Sequence, residues 1–143
     1  MNKILLALFC FASVAPVAHA QDSQKPEVAF ANTLFGIAHQ CQFQYGLDRS
    51  LQDQARSYGQ AAPDATESLV SCYRAGKTDG KAAFDAITSR PHNAQIKADI
   101  KMAYASWLTW MDAIGRANEE ESPPAQRDFE KSANILKVDV ETD

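Results

Sequence analysis

The sequence predicts an all-α fold: a small antiparallel bundle of three to four helices, stapled by one disulfide between the first two. Three observations lead there. Apolar residues recur at helical spacing in successive segments, and short connectors rich in Gly, Pro and Asn separate those segments. Two cysteines remain once an amino-terminal leader is removed.

The leader is MNKILLALFCFASVAPVAHA, residues 1–20. It joins a positive end at Lys3, an apolar run from Ile4 to Val14 and the small-x-small ending Ala18-His19-Ala20, the three parts of a secretory signal. Cleavage after Ala20 starts the mature chain at Gln21 and implies a periplasmic or secreted location. The apolar run is about half the ~20 residues that cross a bilayer core, and no later segment lacks charge for that long. No membrane span is expected. Cys10 follows Phe9, too bulky for the small-residue box of a lipoprotein signal, and is read as part of the discarded leader.

What remains, residues 21–143, suits one domain with one core. Without Lys3 it holds 13 Lys+Arg against 18 Asp+Glu, a net charge of −5. Such a field repels nucleic acid and anionic headgroups, so neither is an expected partner.

Residues 21–26, QDSQKP, read as a loose tail. From Glu27 the first helix carries Phe30, Leu34, Ile37, Cys41 and Tyr45, then Leu51, Ala55 and Tyr58, with a kink at Gly46 as one option. Gly59 to Pro63 marks the first turn. The second helix places Ala65, Leu69, Cys72, Gly76, Gly80, Ala83 and Ile87 on one face. It is either continuous or broken at Gly76–Gly80, with Asp79 capping the segment beyond.

Ser89 to Asn93 is the second connector, and Asn93 caps the strongest helix, which ends between Gly115 and Asn118. Ile100, Ala103, Tyr104, Trp107, Trp110, Met111 and Ile114 give it a broad apolar arc, and no charge falls between Met102 and Met111. That breadth implies a helix packed on more than one side, central in the bundle or at a homodimer seam. Glu119-Glu120-Glu121 and the following Ser122-Pro123 form the third connector and the start of a fourth helix bearing Phe129, Ala133 and Leu136. The end, residues 138–143 (VDVETD), alternates without a partner and is expected to fray.

In an oxidising compartment Cys41 and Cys72 read as one bridge. The bundle geometry resists it. Reflected through a turn near Gln60 and Ala61, Cys41 faces Gly80, roughly 12 Å along the axis from Cys72. A bridge, with its α-carbons within ~7 Å, then asks for a bend near Gly46 or a steep crossing.

Catalytic chemistry has few carriers. His39 and Cys41 lie two apart on a helix and share no face, His92 sits in a connector, and Asp85, Asp99 and Asp112 read as solvated. Haem held by His39 with Met102 or Met111 has no support in the spacing, and Glu119 to Glu121 lack the glycine spacing of a calcium loop. No catalytic residue, metal ligand or cofactor is expected. Binding is the more economical role, through a face comprising Met102, Ala105, Thr109, Asp112, Glu119, Glu120 and Glu121.

In size, acidity, leader and disulfide the chain resembles helical periplasmic immunity proteins of contact-dependent antibacterial systems. That resemblance is one of general form and covers no motif. It implies an inhibitor or immunity-type neutraliser whose partner is a basic periplasmic enzyme, reached by electrostatic steering. The alternatives are a carrier of a small apolar ligand between the helices bearing Phe30, Leu34, Trp107 and Trp110, and a hydrolase without a recognisable motif.

Overall fold

A computed structural model describes residues 24–61, 64–116 and 122–143. The leader and the Glu119–Glu121 run lie outside them. Four helices follow one another: α1 (Pro26–Ser57), α2 (Ala65–Thr88), α3 (Ala94–Gly115) and α4 (Ser122–Thr142). None is long and apolar enough to cross a membrane.

Local chemistry sets the ends. Pro26 opens α1, where its missing N–H costs nothing. At the other end Gly59 adopts φ 65°, and Gln60 N–H donates to Ala55 O while Gly59 N–H donates to Arg56 O. That pair of bonds satisfies carbonyls the helix leaves open. Asp64 caps α2 by accepting from Thr66 N–H at 2.8 Å, and Asn93 caps α3 from Ile96 N–H at 2.8 Å, as its sequence position predicts.

The core gathers around α3, which touches α1, α2 and α4. Trp107 and Trp110 are fully buried, together with Leu34, Ile100, Met111, Phe129 and Leu136. Trp107 Nε1 donates to the Leu34 carbonyl at 2.8 Å, a bond that ties α3 to α1 inside the core. Three neighbours account for the breadth of α3's apolar arc. Central position is the option the structure shows.

α2 is continuous through Gly76 and Gly80, and packing explains why. A Cβ on Gly80 would lie 2.1 Å from Trp107 Cη2, and one on Gly76 would lie 2.8 Å from Ile37 Cγ2. Glycine here brings helix backbones close and breaks nothing. Where sequence expects a frayed tail over residues 138–143, α4 runs on to Thr142. Val140 is buried, its carbonyl accepts from Lys25 Nζ, and Asp143 accepts from Asn93 Nδ2 at 3.0 Å. The alternating end found partners that periodicity does not reveal.

Cys41 and Cys72 form the disulfide, their α-carbons 5.6 Å apart. α1 is unbroken through Gly46. Ile37 lies against Gly76 just as Cys41 meets Cys72, so the two helices run antiparallel in a shifted register. Beyond Cys41, α1 continues sixteen residues to Ser57, whereas α2 starts seven residues before Cys72. The excess carries the end of α1 about 13 Å past the start of α2. Cys41 is accordingly the last buried residue of α1.

Candidate functional site

The projecting half of α1 carries the most exposed large apolar side chains of this helix. Phe43 is 60% exposed, Leu47 44%, Leu51 55%, and Tyr58, at the helix's C-cap, 71%. At 100° per residue they share an arc of about 80°, turned roughly 110° around the helix from Cys41. Gln40, Gln44 and Gln54 complete the same exposed face. Among these residues there is no charge.

The charged side chains of this half lie off that face or at its edge. Gln44 Nε2 donates to Asp48 Oδ1 at 2.9 Å, and Arg56 meets Asp53 at 3.6 Å. Beside the stripe a hollow of about 570 Å³ is lined by Leu51, Gln54, Ala55, Tyr58 and Gln60. An apolar stripe on a stapled helix, next to a hollow, has the parts of a protein contact: anchors, a receptor for an anchor and a rigid support.

The face expected on α3 is only partly assembled. Met102, Ala105 and Thr109 do share the exposed side of α3. Asp112 instead ties α3 to α2, accepting from Tyr73 Oη at 2.7 Å and from Lys77 Nζ at 3.2 Å. Burial opposes ionisation of its carboxyl, but the Tyr73 and Lys77 hydrogen bonds and the nearby Lys77 and Arg116 charges outweigh it and hold the pKa below 3.8. Across the pair, the hydrogen bond with Tyr73 leads in raising Lys77. Glu119, Glu120 and Glu121 lie outside the described residues.

The histidines serve other contacts. His39 is exposed and stacks on Phe35 with ring centroids 5.5 Å apart. The His92 side chain is only 5% exposed, its Nε2 lies 2.9 Å from Glu27 Oε1, and its Nδ1 has no partner among the described residues. Around this pair a 410 Å³ pocket is lined by Lys25, Glu27, Pro91, His92, Asn93, Ile96, Val140 and Asp143. Most of its polar groups bond one another, which makes it a clasp joining the start of α1, the α2–α3 connector and the end of α4.

Two carboxyls meet between α3 and α4. Asp99 is buried and accepts from Gln95 Nε2 at 3.1 Å, with Asp139 within hydrogen-bonding reach. Burial first, then the hydrogen bond and charge of Asp139, raise the Asp99 pKa against the opposing pull of Gln95. Asp85 is paired with Lys81 at 2.6 Å on the surface. No group of three or more His, Cys, Asp or Glu able to hold a metal occurs among the described residues.

Met102 is exposed while Met111 is buried against Gly76, so they do not converge with His39. Phe30, Leu34, Trp107 and Trp110 are core side chains at most 5% exposed. Sequence reading missed the projecting stripe because it assigned Leu51, Ala55 and Tyr58 to the face of Cys41. The available signal was the spacing of four linking Phe43, Leu47 and Leu51, which departs from the Leu34–Ala38–Cys41 face.

No family model, no curated protein sequence and no solved structure matches the chain.

Proposed function

We propose that this chain is exported and acts through protein–protein contact, with the projecting half of α1 as the contact surface. The single observation that carries this reading is the stripe Phe43, Leu47, Leu51 and Tyr58, exposed on a helix whose position is fixed by the Cys41–Cys72 bridge. Exposed aromatic and leucine side chains grouped on one rigid face are the usual anchors of an interface. The disulfide supports export, because such bonds persist in oxidising compartments. Within this class the general resemblance favours an inhibitor or immunity-type neutraliser of a periplasmic enzyme.

The contact moves from the face expected on α3 to α1. Asp112 is engaged with Tyr73 and Lys77, whereas the α1 stripe has no competing intramolecular role among the described residues.

The test is chemical cross-linking in periplasmic extract at low and moderate salt, comparing the mature protein with L47D/L51D and with M102D. A discrete protein adduct that disappears in L47D/L51D and persists in M102D is the expected result. Identical adduct patterns in all three proteins would remove the α1 surface from the proposal.

A further inference from the structure

A second surface lies between the first half of α1 and the middle of α4, apart from the projecting stripe. We propose that the hollow there binds a small aryl carboxylate, with its ring against Phe35 and Phe129 and its carboxylate on Lys137.

Side-chain size makes the hollow. Ala31 of α1 and Ala133 of α4 line it, each at most 6% exposed, and their short side chains leave a volume of about 370 Å³ between Phe35, Phe129 and Lys137. That volume accommodates one aromatic ring with a short acid chain and lies within the range of small-ligand sites. The walls are aromatic as well as apolar. Phe35 and Phe129 both pack on Trp110, with ring centroids 5.8 Å and 5.7 Å away, and Phe35 remains 36% exposed. A guest ring extends this set through the offset or edge-to-face contacts that aromatic pairs favour.

Two hydrogen-bond donors here lack acceptors among the described residues. Lys137, half-buried at the rim, makes no hydrogen bond or ion pair with them. Trp110 Nε1, packed against the two phenylalanines, is buried and unpaired, in contrast to Trp107, whose indole N–H reaches Leu34 O at 2.8 Å. Donors left open in this way call for an oxygen-bearing guest rather than a hydrocarbon.

Charge selects a monoanion. The other ionisable side chain lining the hollow, Glu130, accepts from Gln126 Nε2 at 2.8 Å and stands seven residues, roughly 10 Å, along α4 from Lys137. Lys137 thus draws the carboxylate to one end, and Glu130 leaves the other end to a neutral ring.

NMR titration of the mature, oxidised protein with 4-phenylbutyrate tests the site, because the two indole N–H signals report separately. The Trp110 signal shifts saturably with a dissociation constant on the order of 100 μM, whereas the Trp107 signal, held by Leu34 O, moves much less. Salt at about 0.15 M screens the net negative charge of the chain beyond ~8 Å and leaves the Lys137 contact in place. The neutral isostere 4-phenylbutanol binds about tenfold more weakly than the acid, and Lys137→Gln weakens binding of the acid about tenfold. Lys137→Arg keeps affinity within about threefold of wild type. Phe35→Ala weakens binding at least about fivefold. L47D/L51D leaves it unchanged, since neither leucine lines the hollow. The backbone amide spectrum of each variant verifies its fold.

A Trp110 signal that shows no saturable shift up to about 5 mM ligand overturns the site. Alcohol that binds as tightly as the acid, or affinity indifferent to Lys137→Gln, overturns the assignment of a carboxylate. Binding that is lost in L47D/L51D and kept in Phe35→Ala places the ligand on the stripe and sinks the proposal.

Discussion

The two halves of α1 both carry large apolar side chains and meet opposite fates. Up to Cys41 the helix presents Phe30, Leu34 and Ala38 to Trp107 and its neighbours; after Cys41 it presents Phe43, Leu47 and Leu51 to solvent. No helix-breaking signal separates the halves, since α1 runs unbroken from Pro26 to Ser57. Register does. Gly76 and Gly80 let α2 seat against Ile37 and Trp107, and the bridge locks that offset, so among the described residues no helix covers the apolar side of the later half of α1. An open stripe of this kind is the feature on which the proposed protein contact rests.

Breaking the bridge should have the largest effect on this arrangement. Replacing both Cys41 and Cys72 by alanine frees a loop closed across a sequence separation of 31 residues and is expected to cost about 3–4 kcal/mol on the chain-entropy model. Urea unfolding of oxidised wild type and the double variant checks it. A cost below about 1 kcal/mol would mean that glycine packing alone sets the register.

Truncation of one leucine in each half tests the contrast directly. Leu34 is fully buried and its carbonyl receives the Trp107 indole bond, so Leu34→Ala leaves a cavity at the α1–α3 contact and should cost about 3 kcal/mol. Leu47 is 44% exposed, and Leu47→Ala should change monomer stability by less than about 0.5 kcal/mol. Both values come from urea midpoints at low protein concentration, where association does not contribute. Equal costs would show that the projecting half is packed in solution.

Glycines give a contrast in sign. Gly80→Ala places a methyl 2.1 Å from Trp107 and should destabilise by about 2 kcal/mol or more, because the indole sits in a filled core. A Cβ at Gly46 meets nothing within 4 Å, so Gly46→Ala should stabilise by about 0.5–1 kcal/mol through helix propensity alone. Thermal melts of the two variants distinguish the cases, with midpoints moving in opposite directions.

Much of this fold was legible from residue types. The helical spacing, the Asn93 cap, the Gly59 stop and the Cys41–Cys72 pairing are local properties, and the structure shows them. The axial offset between α1 and α2 was not legible, because periodicity says which residues share a face but not how far one helix slides along another. The offset depends on contacts such as Gly80 with Trp107, 27 positions apart in the chain. The same blindness merged Leu51 and Tyr58 with the Cys41 face and hid the stripe. On α3, spacing correctly grouped Met102, Ala105 and Thr109, yet could not foresee that Tyr73 and Lys77 would engage Asp112. The 138–143 segment was misread because its alternation masks Val140, one helical turn beyond Leu136, as a core residue.

A smaller effect than those of the bridge, Leu34 and Gly80 lies where the sealed part of the bundle works against itself. Asp99 is buried between α3 and α4 beside Asp139, and burial followed by that neighbour raises its pKa above 3.8. A group that binds its proton more tightly when folded contributes its stability fully below the unfolded value, near pH 3.9, and loses it as pH rises through the folded value. At neutral pH the ionised carboxylate is therefore a cost. Asp99→Asn removes the charge and keeps an oxygen for Gln95 Nε2, so it should stabilise by about 1 kcal/mol near pH 7. The advantage should shrink as pH falls and be smallest at about pH 3, below the unfolded carboxyl value. Urea midpoints of the two proteins at both pH values decide the matter. A gain that persists unchanged in acid would mean that the amide improves packing and that the Asp99–Asp139 contact carries no electrostatic cost.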